Sequence, residues 1–66
     1  MRQRNIDAVR LVLGDNPDGL YALQICRRTR MRVGTVYPVL AVLESAGEVE
    51  AVREPNGRRR YRRRSP

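Results

Sequence analysis

The chain has 66 residues, 41% of them hydrophobic and 32% charged, with a formal net charge of +7. That is one small folded domain with too little core for a deep catalytic pocket, and no apolar run is long enough for a membrane span or shaped like a secretion signal, so the expected compartment is the cytoplasm. Cys26 is the one cysteine, histidine is absent and the seven carboxylates are scattered, which excludes an internal disulfide and a zinc site and leaves no acid–base dyad; no enzyme activity, cofactor or metal is expected.

The first helix is expected from about Asn5 to Leu13, where Ile6, Val9, Val12 and Leu13 recur at helical spacing. Asn5 is placed to cap it, Asp7 falls in its first turn, and Gly14 is a natural stop. Asp15-Asn16-Pro17-Asp18-Gly19 is a run of turn formers, so the chain reverses there.

A second helix is expected from about Leu20 to Thr29. Leu20, Leu23 and Cys26, with Ala22 and Ile25, supply its buried face, and Cys26 reads as a small hydrophobe. Arg27 and Arg28 fall in its last turn, where the helix dipole favours cations. After Arg30-Met31-Arg32, a third helix fits from about Val33 to Ala46. Val36, Leu40 and Leu43 stripe it, and Gly47 ends it in the left-handed cap position. Pro38 falls within its first turn or so, where a missing N–H costs little.

The last segment alternates. Val49 to Glu54 and Arg58 to Arg62 flank Pro55-Asn56-Gly57, and Asn-Gly is the strongest short-range hairpin signal. Val49, Ala51 and Tyr61 are the expected inward residues. Residues 1–57 hold eight arginines and seven acids, whereas residues 58–66 hold six arginines and no acid. A polyanion docking near this end is implied. All the basic residues are arginine; its planar fork suits phosphate and guanine, although GC-rich coding accounts for most of the bias.

Three helices followed by a basic hairpin is the order of a winged helix-turn-helix, mainly α with a two-stranded β wing. Met31 would fill the tight turn between the second and third helices, leaving the outer face of the third free for a major groove. The expected domain is residues 1–61. Residues 62–66 would be a basic tail without fixed structure until DNA is present.

Gly34-Thr35-Val36-Tyr37-Pro38-Val39-Leu40, followed by Leu43-Glu44 and Gly47, resembles the signature of PadR-like transcriptional regulators. Gly19-Leu20-Tyr21-Ala22-Leu23-Gln24-Ile25 and Gly57-Arg58-Arg59-Arg60-Tyr61 match the same pattern, so the resemblance covers about Ile6 to Tyr61. It implies a winged helix that binds DNA, with Tyr37 reaching a phosphate. The chain departs from the family at Glu48, where an apolar residue is usual, and at Arg32, which replaces a small polar cap. It also stops at Pro66, before the C-terminal helices through which such proteins normally dimerise. A monomer or weak homodimer, cooperative on repeated sites, is therefore expected.

The expected partner is double-stranded DNA. Thr35, with Val33 and Gly34, would approach base edges from the start of the third helix. Arg30 and Arg32 flank that start. Arg53, Asn56, Arg58, Arg59, Arg60 and Arg62 would place the wing on phosphates or in the minor groove. The leading expectation is a sequence-specific transcriptional regulator. The alternative is an architectural, excisionase-like factor of a phage or mobile element that bends DNA for recombination. A winged helix serving protein or RNA partners is a third, separable because phosphate contacts weaken steeply with salt.

Overall fold

The computed structural model describes residues 1–64. In chain order it contains α1 (Gln3–Gly14), β1 (Leu20–Tyr21), α2 (Ala22–Thr29), α3 (Val33–Ser45), β2 (Val49–Arg53) and β3 (Arg59–Arg63). Three helices carry a hairpin wing, the expected winged-helix arrangement. The sheet has one strand more than expected, in the order β1-β3-β2, with both pairings antiparallel. Among the described residues, no helix is long and apolar enough to cross a membrane.

The first helix begins two residues before the expected cap. Arg2, not Asn5, is its N-cap, and Asp7 lies beyond the first turn. There Asp7 accepts from Gln3 at 3.0 Å and from Arg10 at 2.9 Å. Gly14 is itself helical, and the stop is made further on: the Asn16 side-chain amide donates to the Val12 carbonyl at 2.8 Å, satisfying one of the acceptors every helix leaves at its end.

Leu20 and Tyr21 pair with Tyr61 and Arg60 of β3 instead of opening the second helix. Gly19 permits this approach. Its φ is +90°, and a Cβ there would lie 2.8 Å from the Tyr61 carbonyl oxygen, a conformation and a closeness only glycine accepts. Helix α2 therefore starts at Ala22, and its buried residues are Ala22 and Ile25. Leu23, expected inside, falls off that stripe and is 59% exposed. Cys26 and Met31 are partly buried against the core, Met31 in the turn as expected.

On α3 the expected stripe of Val36, Leu40 and Leu43 is buried, and Val39 joins it. Gly47 ends the helix at φ +75°. Its N–H donates to the Glu44 carbonyl and that of Glu48 to Leu43, at 3.0 and 2.9 Å, the paired bonds of a Schellman cap. Pro38 is the sixth helical residue, past the first turn. The carbonyl it leaves without its usual in-helix donor belongs to Gly34, an exposed residue on the outer side of the helix.

The hairpin turn pairs the Glu54 N–H with the Arg58 carbonyl at 2.8 Å and the Gly57 N–H with the Glu54 carbonyl at 2.9 Å. With Gly57 at φ +85°, this is a three-residue loop whose glycine forms a bulge. Leu20, Ala51 and Tyr61 lie abreast across the three strands. With Val49 they close the sheet over Val9, Leu13 and the helix stripes to form one core. Glu48 is half-buried at the entry to β2, and both its oxygens take Arg10 donors at 3.0 Å. An ion pair to α1 thus replaces the apolar contact expected there. The tail expected from residue 62 begins later: Arg62 and Arg63 end β3, and the Arg64 N–H donates to the Glu48 carbonyl at 2.9 Å. Ser65 and Pro66 lie outside the described residues.

Candidate nucleic-acid interface

With Val36, Val39, Leu40 and Leu43 turned inward, the opposite stripe of α3 is Gly34, Tyr37, Pro38, Ala41 and Ser45, all exposed. Apart from Tyr37 this stripe is made of small uncharged residues, with the exposed Glu44 at its edge two turns beyond Tyr37, so a flat or grooved polymer can approach the backbone closely at its N-terminal end. Val33 is 42% exposed and Tyr37 50%, while Thr35 is half-buried at the edge of the stripe.

Arg30 and Arg32 bracket the turn into α3, and both are exposed. Arg32 is the N-cap of α3 and makes no side-chain cap bond. Arg30 caps the end of α2 at φ 60° and ψ 26°, the left-handed region that disfavours side chains. Met31 packs partly buried against the core beyond this turn, and Thr29 Oγ1 donates to the Ile25 carbonyl at 2.7 Å and accepts the Met31 N–H at 3.3 Å. We expect Arg30→Gly to hold or raise thermal stability, by up to about 5 °C, because the strain disappears. A Tm lower by more than about 3 °C in a thermal melt would show that the arginine makes a structural contact.

The wing arginines divide by the period of the strand. Arg60 and Arg62 lie on the face away from the core and are matched by acids: Arg60 Nε to Glu54 at 3.2 Å and Arg62 Nε to Glu50 at 2.6 Å. Arg53 and Arg59 lie directly opposite each other on the two strands. Both are exposed, and neither has a carboxylate within 4.0 Å among the described residues. Like charges at such positions repel, so the hairpin is neutralised on one face and left cationic on the other.

A groove of about 640 Å³ separates this cationic part of the wing from the helices. Arg58 and Arg59 line it from the wing, Tyr37 from α3, and Leu23, Gln24 and Arg27 from α2, with no acid in its wall among the described residues. Leu23, Gln24 and Arg27 were not among the expected site residues. Arg27 carried a signal, since it follows Leu23 by one helical turn, but that signal is visible only once Leu23 is known to face outward. Asn56 stands at the wing tip, where its Oδ1 accepts the Arg58 N–H at 2.9 Å; it shapes the turn. Arg60, also an expected DNA residue, makes several internal contacts. Its Nη2 donates to the Tyr21 hydroxyl at 3.1 Å and its Nη1 to the Gly19 carbonyl at 3.4 Å.

Donation from the Tyr21 hydroxyl, and then from Arg60, holds the Glu54 carboxyl below its ordinary range. Its pairing therefore contributes fully above the ordinary carboxylate pKa and is lost as pH falls through the lowered value. The groove thus brings together Tyr37 of α3, Leu23, Gln24 and Arg27 of α2 and Arg58 and Arg59 of the wing; of the other expected residues, Arg30, Arg32, Val33, Gly34 and Thr35 lie outside its lining at the turn into α3, and Arg53 lies across the hairpin from Arg59. No family model matches the chain, and no curated protein matches it.

Proposed function

We propose that the chain is a sequence-specific double-stranded DNA-binding regulator of the PadR-like kind, acting on transcription. The observation that carries this reading is the opposed pair Arg53 and Arg59, left without acids among the described residues, with Arg59 and its neighbour Arg58 lining a groove that Tyr37 of α3 also lines. Cations held against their mutual repulsion suit a polyanionic partner, and arginine forks suit its phosphates. The bare outer face of α3 enters the major groove, with Thr35 and Val33 near base edges, while Arg58 and Arg59 follow the backbone or the minor groove. Tyr37, at the junction of the two, reaches a phosphate.

Selection of bound duplexes from a random pool tests this directly. Enrichment of a defined motif is the expected result, and recovery of unenriched DNA or none at all would overturn it. On the selected duplex, Thr35→Ala is expected to relax preference at one base pair, at a cost of about 1–3 kcal/mol, while leaving affinity for random DNA nearly unchanged. Equal losses on both duplexes would remove Thr35 from base reading.

A further inference from the structure

We propose that Tyr21, Glu54 and Arg60 form a latch that fixes the wing against the start of α2, making Tyr21 and Glu54 positioning residues for DNA recognition. The inference rests on the DNA-binding reading above and concerns residues that act through the wing.

A carboxylate at the base of a DNA-facing wing is at first sight a liability, because it repels phosphate. Glu54 stands at that place, one residue beyond β2, and its side chain is only 26% exposed. Both of its oxygens are used. Oε1 accepts from the Tyr21 hydroxyl and from Arg60 Nη2, the latter at 3.3 Å. Oε2 accepts from Arg60 Nε at 3.2 Å. The guanidinium of Arg60 lies 4.6 Å from the centroid of the Tyr21 ring, and that of Arg58 lies 5.2 Å from it, both within cation–π range.

These contacts add a polar tie, on the outer face of the sheet, to the core packing of Leu20, Val49 and Tyr61 on its inner face. Strand β1 is two residues long and meets β3 only through Leu20 and Tyr21. A two-stranded hairpin is marginal alone and gains from a third strand, and here the third strand supplies only two residues. Tyr21 is also the N-cap of α2, and its own N–H donates to Gln24 Oε1 at 2.8 Å. Through Tyr21 the latch therefore ties the wing to the helix that carries Leu23 and Arg27. These two residues and Arg58 stand on opposite walls of the groove. The distance between the walls decides whether wing and helix reach the same stretch of DNA backbone. Arg58, seated on the Tyr21 ring, is aimed by the same cluster.

The charge of Glu54 makes the sign of the test diagnostic. If Glu54 merely lowered the positive field, Glu54→Gln would tighten binding to every duplex alike. As a latch, Glu54→Gln is expected to weaken the selected duplex about 5–10-fold while random DNA holds or gains, because base reading needs a fixed wing and phosphate attraction does not. Tyr21→Phe changes no charge and keeps the ring, and is expected to lower the selected-to-random ratio about threefold. Equal gains on both duplexes for Glu54→Gln, with no change for Tyr21→Phe, would overturn the proposal. Amide hydrogen exchange across the β1–β3 pairing of the free protein gives a readout independent of DNA. It is expected to quicken about tenfold in either variant at unchanged helix content, and unchanged exchange would overturn the latch. Should the parent protein bind no duplex DNA, the functional reading falls, and exchange alone decides whether the wing is latched.

Discussion

Replacing Arg53, Arg58 and Arg59 together by alanine is expected to weaken DNA binding on every sequence and to flatten its salt dependence by close to three units. Each phosphate neutralised contributes about −0.9 to the slope of log affinity against log salt. Over a fourfold rise in salt, the variant should therefore lose about 40-fold less affinity than the parent. The three residues are exposed and have no carboxylate partner among the described residues. Their loss should change the melting temperature little, since relief of the repulsion between Arg53 and Arg59 offsets the lost contact of Arg58 with the Tyr21 ring. Arg60 and Arg62 are the built-in control. Both are bound to glutamates, so Arg60→Ala with Arg62→Ala should lower stability while moving the slope less. Titrations by fluorescence anisotropy at four or more salt concentrations decide it. An equal change of slope from the two sets would mean that intramolecular pairing does not sort these cations by role.

Leu40→Ala is expected to unfold the domain or bring it close to unfolding. Leu40 is 1% exposed and packs in the single core with Val36, Val39 and Leu43. Removing its branched end costs about 2–5 kcal/mol. A 66-residue chain holds only about 3–10 kcal/mol in total at the usual stability per residue. The melting temperature should therefore fall by about 10–40 °C, read by circular dichroism. Leu23→Ala and Leu11→Ala should change stability by no more than about 0.5 kcal/mol, because these side chains are 59% and 66% exposed. Leu23 is the more telling of the two, since its helical spacing alone would have buried it. A large loss there would place it back in the core and close that side of the groove.

Much of this architecture follows from local chemistry legible in the sequence. The spacing of Val36, Leu40 and Leu43 sets the inner face of α3. Gly47 supplies the positive φ that its cap requires, and Asn56-Gly57 turns the hairpin. Val49, Ala51 and Tyr61 face inward because strand side chains alternate. The arginines beyond residue 57 announce a polyanionic partner by charge alone.

Only the tertiary structure decided the rest, because each remaining outcome depends on a partner distant in sequence. Leu20 and Tyr21 carry a helical apolar pattern, yet pairing with Tyr61 and Arg60, some forty positions on, draws them into a strand. That shift moves the start of α2 and turns Leu23 outward. Six arginines near the C-terminus look alike as a run of letters. Strand register then pairs Arg60 and Arg62 with Glu54 and Glu50 and leaves Arg53 opposite Arg59. Periodicity and turn chemistry are properties of neighbouring residues and can be read along the chain. Which cation meets an acid, and which is left to meet a ligand, is fixed only when the strands are laid side by side.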